Sequence, residues 1–529
     1  MTYQILRGRP FDALIARMIH SLSPSSLLQQ DFPGGEGLAV GLGVVFVVGM
    51  DGRPLEGDAG GSGEGTRRRR APWKNGSCRG EDFRSGGLGR PPGLQPFSGA
   101  VDPGRGIFRS DHGPVNPAHT IREGGCVRPY RLVLLGITLT LAFAGPAGAE
   151  GPIRIGEINS YSGIGAPFTL PYRAAVEMAV DEINARGGVG GRRLEVLFRD
   201  DRGQPAEAIK HAQELVTADG VTLLAGGFLS NVGLAISDWA RQHRVMYVAA
   251  EPLTEALTWS QGHPWVVRVR PNTYEQGRML AERAARTGHV RWATIGPNYE
   301  YGKRAWETFR DRLRELRPGV EVVGEHWPVL GKLEPGPYVT AILGERPDAL
   351  YVSLFGSDWL AFVREANKRG LFEKMFVVGI LLGEPEYIDP LRTEAPEGML
   401  VTGYPWYAIA APAHRRWVEA FRQRTSAEPR LGSLVGYITV LSIVEALRRA
   451  GADLGADRLS AAFRGLAVET PIGPITFRAV DGQSTMGAWV GTTRLDRVRG
   501  VGVMGDYEYV PGERVLPPAD EVLKMQAGH

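Results

Sequence analysis

The chain has 529 residues, 43% of them hydrophobic and 22% charged, which is enough apolar material for two domains of ordinary size. Its net charge of +3 hides an asymmetry: residues 1–149 hold 17 Lys and Arg against 12 Asp and Glu, and the remaining 380 hold 44 against 46. A slightly acidic main body argues against a general nucleic-acid binder, and with Cys78 and Cys126 both upstream, residues 150–529 carry neither a disulfide nor a cysteine metal site.

Segments such as "GDAGGSGEGTRRRR" and "SGGLGRPPG" are rich in Gly, Arg and Pro and have no apolar periodicity with which to bury a core. Residues 1–126 therefore read as a disordered or spurious upstream extension, and Arg67 to Arg70 as a solvated charge run. The apolar stretch from Leu38 to Met50 has no cationic segment leading into it and no small-residue cleavage site. Residues 127–149 have both: Arg128 and Arg131, an apolar core from Leu132 to Ala144, and Ala147-Gly148-Ala149. This layout predicts a signal peptide, since the apolar run is shorter than the ~20 residues a bilayer requires and Gly145-Pro146 breaks it. Such a signal acts at the start of a chain, so the numbered sequence is expected to begin too early. No cysteine follows the cleavage site, and the expectation is a soluble periplasmic protein.

From Ile153 onward short apolar runs alternate with amphipathic stretches. "IRIGEI" predicts a strand, "NSYSGIGAPF" a loop, and "YRAAVEMAVDEINARGG" a helix that Gly187-Gly188 ends. "RLEVLFRDD", "VTLLAGG", "VMYVAA", "WVVRVRP" and "RWATIG" predict further strands, with helices "PAEAIKHAQELVTADG", "VGLAISDWARQH" and "YEQGRMLAERAAR" between them. A second series follows, with "GKRAWETFRDRLREL", "VEVVGEHW", "PDALYVSLFG", "DWLAFVREANKRG" and "KMFVVGI". The tail adds long helices at "AHRRWVEAFRQRTS" and "SLVGYITVLSIVEALRRAG", then a small antiparallel addition from "PIGPITF" and "AWVG". Alternating strands and helices imply an α/β fold with parallel sheets covered on both faces, whose ligands collect beyond the carboxyl ends of the strands. Two such series suggest two lobes.

The segments "AAVEMAVDEINARGGVGGRRLEVLFRDDRGQPAEAIKHAQEL", "YEYGKRAWETFRDRL" and "VGYITVLSIVEALRRAG" resemble the periplasmic branched-chain amino-acid binding proteins of ABC importers, in order from about Ile153 to Gly505. The resemblance implies a type I periplasmic binding fold: two Rossmann-like lobes joined by a three-stranded hinge, with a small molecule bound between them and no catalysis. The expected lobes are 150–271 plus about 405–470, and 272–404 plus about 471–529.

The resemblance also implies site residues. Phe168 stands where the family sends an aromatic ring into the cleft, and Ser230 with Asn231 stands where a serine and a helix N-terminus hold the ligand carboxylate; a helix start attracts anions in any case. The family's next threonine is displaced to Thr254 or lost, and an acid, Glu251, appears nearby, to pair with a ligand amine or with an internal arginine. Tyr301 and Phe355 match cleft aromatics of the other lobe. The family's acidic partner for the ligand ammonium falls at Leu381, with Glu384 three residues on. An unpaired ammonium in a closed cleft loses several kcal/mol of solvation, so Glu251 and Glu384 are the candidates to hold one; failing both, the ligand is a carboxylate or amide without an amine. Phe168, Phe228, Phe355 and Trp406 suit an apolar or aromatic body.

No phosphate loop, H-E-x-x-H, G-x-S-x-G or complete G-x-G-x-x-G is present, and the histidines are scattered singly. An enzyme is not expected, nor a metal or organic cofactor. The expected partners are a small amino-acid-like, carboxylate or amide ligand and the permease subunits of an ABC transporter, with the protein a monomer. A ligand-binding sensor module of a receptor is the alternative, and a hydrolase acting in the cleft a weaker one.

Overall fold

Parallel pairing organises both lobes. The computed structural model describes residues 151–527; the 1–126 stretch and the 127–149 signal lie outside them. Strands β1 (Ile153–Asn159), β2 (Leu194–Asp200), β3 (Leu223–Gly226), β4 (Tyr247–Ala249) and β5 (Val266–Arg268) form one sheet in the order β2-β1-β3-β4-β5, all parallel. Helices α1 (Ala166–Ala185), α2 (Pro205–Thr217) and α3 (Ser230–His243) connect its strands.

After β5 the chain enters a second unit: α4 (Thr273–Ala284), β6 (Arg291–Ile295), α5 (Glu300–Leu316), β7 (Glu321–His326), α6 (Pro335–Glu345), β8 (Ala349–Val352), α7 (Gly356–Lys368), β9 (Phe376–Gly383), α8 (Pro385–Ile388) and β10 (Leu400–Gly403). The start of α4 is fixed by a reciprocal cap: Glu275 N–H donates to Asn272 Oδ1 (2.8 Å), and Asn272 N–H donates to Glu275 Oε2 (2.9 Å). The chain then crosses back through 404–411 into α9 (Pro412–Thr425), α10 (Leu431–Ala450) and α11 (Ala456–Phe463). A two-stranded ribbon, β11 (Ala467–Val468) with β12 (Ile475–Thr476), precedes a third crossing. Strands β13 (Ala488–Asp496) and β14 (Val501–Val510) complete a seven-stranded sheet in the order β14-β13-β10-β9-β8-β6-β7, and α12 (Ala519–Ala527) ends the described chain.

Two sequence expectations change here. "PIGPITF" and "AWVG" do not form one small addition: the first holds β12, paired with β11, and the second opens β13, paired antiparallel to β10 and β14. Phe168 lies in the first turn of α1 and not in a loop, because the helix begins at Ala166 with Pro167, whose fixed φ suits a first turn.

The crossings run side by side. Arg268 N–H donates to Gly482 O (3.0 Å), Ser484 N–H to Arg268 O (2.9 Å), and the Gln483 amide to Arg270 O (3.0 Å). β10 ends beside the other two crossings: Thr402 and Gly403 line one small cavity with Arg270 and Pro271 of the first crossing and Met486 and Gly487 of the third.

Helix α10 has the length and apolarity of a membrane span, but it is largely buried within the protein, against α1. Gly432 and Gly436 allow that approach: a Cβ at either would overlap the carbonyl oxygen of Phe168 or Tyr172. Nearby, Tyr404 Oη lies 2.6 Å from Nε2 of the buried His414, whose Nδ1 has no partner. Burial lowers the pKa of His414 to about 4. Between its unfolded value near 6.5 and about 4 the folded state therefore binds fewer protons than the unfolded, so stability present above pH ~6.5 is lost as pH falls. Relative to a His414→Gln variant, which keeps an acceptor for Tyr404, the wild type is expected to lose urea resistance across that window; parallel pH profiles would assign the acid sensitivity elsewhere.

Candidate functional site

The carboxyl ends of strands from both sheets converge on one cavity. Ser230 opens α3 after β3, Glu251 follows β4, Arg270 follows β5, Tyr299 and Tyr301 stand at the start of α5 after β6, Phe355 precedes α7 after β8, Leu381 lies on β9, and Tyr387 on α8; Phe228, Leu229 and Leu253 complete the lining. The walls stand close, with about 20 Å³ open to the centres of water-sized spheres, room for about one water. A molecule of amino-acid size does not fit between walls this close. Wider hollows occur elsewhere, but this one sits where open α/β sheets bind ligands.

Its polar floor is an ion triad. Arg270 Nη1 donates to Glu251 Oε2 (3.0 Å) and Nη2 to Glu384 Oε1; all three residues are no more than 2% exposed. Glu251 belongs to the first sheet's loops, Glu384 to the second's, and Arg270 to the crossing between them, so the triad ties the lobes together. Its guanidinium carbon lies 5.0 Å from the centre of the Phe168 ring. Burial pushes the Glu251 carboxyl up to about 8 against the pull of Arg270, and raises Glu384 as well. Burial alone would lower Arg270, but Glu384 and Glu251 outweigh it and the net shift is upward.

A second set of contacts joins the lobes beside the cavity. Thr254 Oγ1 donates to Glu300 Oε1 (2.7 Å), and Arg304 pairs with Glu255 and Glu307. Leu381 has a left-handed backbone (φ 71°), a strained state costing of order 1–3 kcal/mol for a residue with a Cβ. It is held by its N–H bond to Thr402 Oγ1 (2.9 Å), and it turns the chain so that Glu384 N–H reaches Leu381 O (2.9 Å) and the Glu384 carboxylate reaches Arg270.

Of the residues singled out in the sequence, Ser230, Glu251, Tyr301 and Phe355 share the cavity wall. Phe168 lies behind it, fully buried, 5.7 Å from the Phe228 ring, which in turn meets Phe355 at 5.9 Å. Glu384 joins through Arg270 and lines the adjoining small cavity. Asn231 and Thr254 are outside the lining; Thr254 receives no bond from a cleft group but donates to Glu300, and its N–H donates to Ser230 Oγ (3.1 Å). Trp406 is not a cleft aromatic: it packs between Arg422 and Arg499, 5.0 and 5.6 Å from its ring, because the chain has left β10 by that point. Sequence reasoning missed Arg270, Tyr299 and Tyr387. The "WVVRVRP" run gave one signal for Arg270, a cation at the end of an apolar strand, which demands a buried partner.

Ser237 Oγ lies 2.9 Å from His263 Nε2, a contact that invites a nucleophile reading. The same nitrogen meets Ser237 O at 2.9 Å while Trp265 N–H points at Nδ1, and the adjacent Asp238 is bound to Arg241 and Gln242. The ring is thus pinned as a structural link with no carboxylate behind it.

The family model described as periplasmic binding protein matches residues 152–496. The Leu/Ile/Val-binding protein homolog 4 of Brucella melitensis biotype 1 is 25% identical over 407 residues, covering 73% of this chain and 96% of the relative. Among solved structures, a solute binding protein of an ABC transporter from Rhodopseudomonas palustris BisB5, in complex with 3,4-dihydroxy benzoic acid, is 23% identical with a TM-score of 0.61, over 68% of this chain and 98% of that one. The closed conformation of a leucine-, isoleucine-, valine-, threonine- and alanine-binding protein from Brucella ovis gives 24% and 0.60, over 70% and 97%. At these identities the solved structures speak to the fold: two lobes around a cleft, as found here. By the extent of the family match and by that fold, the chain belongs to the periplasmic binding protein family.

Proposed function

We propose that this protein captures a small organic solute between its lobes in the periplasm and delivers it to the permease of an ABC importer. The observation that carries this reading is the cavity itself, whose walls come from the strand ends of both sheets, so that a bound molecule bridges the lobes. Closure by hinge motion then follows, because the crossings near Arg270 are what the lobes share and a ligand touching both favours the closed state. The lobes comprise 150–271 with about 405–470, and 272–404 with about 471–529. Residues 127–149 direct export, and the protein acts as a monomer without a cofactor.

The ligand is amino-acid-like, a carboxylate or an amide. The Brucella relatives are named for branched-chain amino acids and the R. palustris neighbour holds an aromatic acid; the Phe228, Tyr299, Phe355 and Tyr387 walls suit an apolar or aromatic body of either kind. Ser230 at the start of α3 receives the polar end, and Tyr301 and Phe355 close over the body.

A thermal-shift screen of residues 150–529 against amino acids, amides and carboxylates tests this, since a ligand of the folded form raises its stability with concentration. Ser230→Ala and Tyr301→Ala are expected to weaken the best ligand by about 10-fold or more while leaving the melting temperature without ligand within a few degrees. Full affinity in both variants would remove the cavity as the site, and turnover of the ligand would overturn the binding role.

A further inference from the structure

The ends of the two sheets also meet outside the cavity wall. Thr254 and Glu255 follow β4 of the first sheet, and Glu300 and Arg304 stand in the first two turns of α5, after β6 of the second. Glu255 is buried, with Oε1 accepting from Arg304 Nε (2.6 Å) and Oε2 from the Thr273 hydroxyl (2.5 Å) at the start of α4. Thr254, also buried, donates its hydroxyl to Glu300 Oε1 (2.7 Å). None of these four residues lines the cavity, whereas their neighbours Leu253, Tyr299 and Tyr301 do. Glu255, Glu300 and Arg304 face instead a wider hollow walled by Trp259, Tyr274 and Met525. The four side chains thus stand between the cleft and that outer space.

This contact is built to break and re-form. The Arg304 side chain is 39% exposed against 6% for Glu255, so parting the sheets exchanges a half-solvated ion pair for two hydrated ions, a few-fold effect on an equilibrium. Nor is the approach that of one loop. Ile164, in the turn after β1, lies so close to Gly356 at the start of α7 that a Cβ there would fall 2.6 Å from Ile164 Cγ1. Contacts from two loops to two helices mean that the strand ends of both sheets approach as bodies.

We propose that Thr254, Glu255, Glu300 and Arg304 form a clamp that sets the fraction of molecules whose cleft is closed, and through it the affinity for every solute by one common factor. The inference rests on the reading that the cleft holds a solute. Side chains on the cavity wall discriminate between solutes, whereas the clamp touches none of them and scales them together, because apparent affinity falls with the population of the binding-competent form.

Double electron–electron resonance on the full chain without added solute tests this, with Cys78→Ser and Cys126→Ser and spin labels on Lys210→Cys of α2 and Lys368→Cys of α7, both exposed positions. Glu300→Ala with Arg304→Ala is expected to lower the ratio of the shorter to the longer label distance about three- to tenfold. Arg312→Ala, on the same helix but paired with Glu282 and Glu315 of the same unit, is expected to leave the distances unchanged. In calorimetry with leucine and 3,4-dihydroxybenzoate, each compound that binds the wild type is expected to weaken in the double variant by one shared factor, no larger than the change in that ratio. Unchanged distances in the double variant, equal opening by Arg312→Ala, a wild type already fully open, or unequal losses for the two compounds each overturn the clamp and leave the cleft as the binding site. The expected opening with silence of a broad solute panel supports the clamp and removes the solute-binding reading.

Discussion

Arg270→Ala is expected to lower the stability of the folded protein by about 3–5 kcal/mol, the cost of leaving buried carboxylates without their cation. Glu251 and Glu384 are each 1% exposed and neither has another cationic partner among the described residues, so water cannot replace the guanidinium without the lobes parting. Urea unfolding measures the loss. Adding Glu251→Gln and Glu384→Gln to the Arg270→Ala background is expected to return much of it, since neutral amides remove the uncompensated charge; no recovery would mean that Arg270 acts through packing on Phe168 and not as a counter-ion. The pH dependence carries a definite sign. The Glu251 carboxyl is raised in the folded state to about 8 from an ordinary 4.5. Its contribution to stability is therefore fully present below about pH 4.5 and is lost as pH rises through about 8. The wild type is expected to lose stability on this account between those values, and in the Arg270→Ala variant the loss is expected to run on to higher pH, because the attraction that holds the carboxyl down is gone.

Gly432→Val is expected to cost about 1–3 kcal/mol or more and to weaken ligand binding as well. A side chain at this position of α10 would run into the carbonyl oxygen of Phe168 on α1, which is backbone and cannot swing away. The helix must shift, and Phe168 with it. Because the Phe168 ring lies under Arg270 and against Phe228, the displacement passes directly to the triad and the cavity wall. Denaturation and calorimetry on the same variant separate the two effects. Gly344→Ala on α6 is the control: a Cβ there meets nothing within 4 Å, and the change is expected to be neutral or stabilising by up to about 1 kcal/mol. Equal losses at Gly432 and Gly344 would show that helix propensity, and not the α1–α10 approach, sets the cost.

What could be read from the sequence follows from local rules. The alternation of "IRIGEI", "YRAAVEMAVDEINARGG" and "RLEVLFRDD" exposes the periods of strand and helix, and repetition of that rhythm in two series requires parallel sheets in two lobes. The same order of segments carried the family resemblance, and Ser230, Glu251, Tyr301 and Phe355 were findable because they follow strands whose ends are visible as the last apolar residue before a polar turn. Glu384 was visible as an acid near a strand end, but its partner was not.

Tertiary structure decided the rest. Arg270 reaches Glu251 across 19 residues and Glu384 across 114, and nothing periodic in the chain links those positions. Thr254 turns to Glu300 and Trp406 to Arg422 and Arg499 for the same reason: the partner comes from another element. Strands β13 and β14 extend the second sheet through pairing with β10, a neighbour fixed by the third crossing and by no pattern within "AWVG". Periodicity records how each segment buries its own face, so the chain by itself determined the elements and the family. Which charges face each other in the cleft was settled only when the three crossings brought distant strand ends within hydrogen-bonding distance.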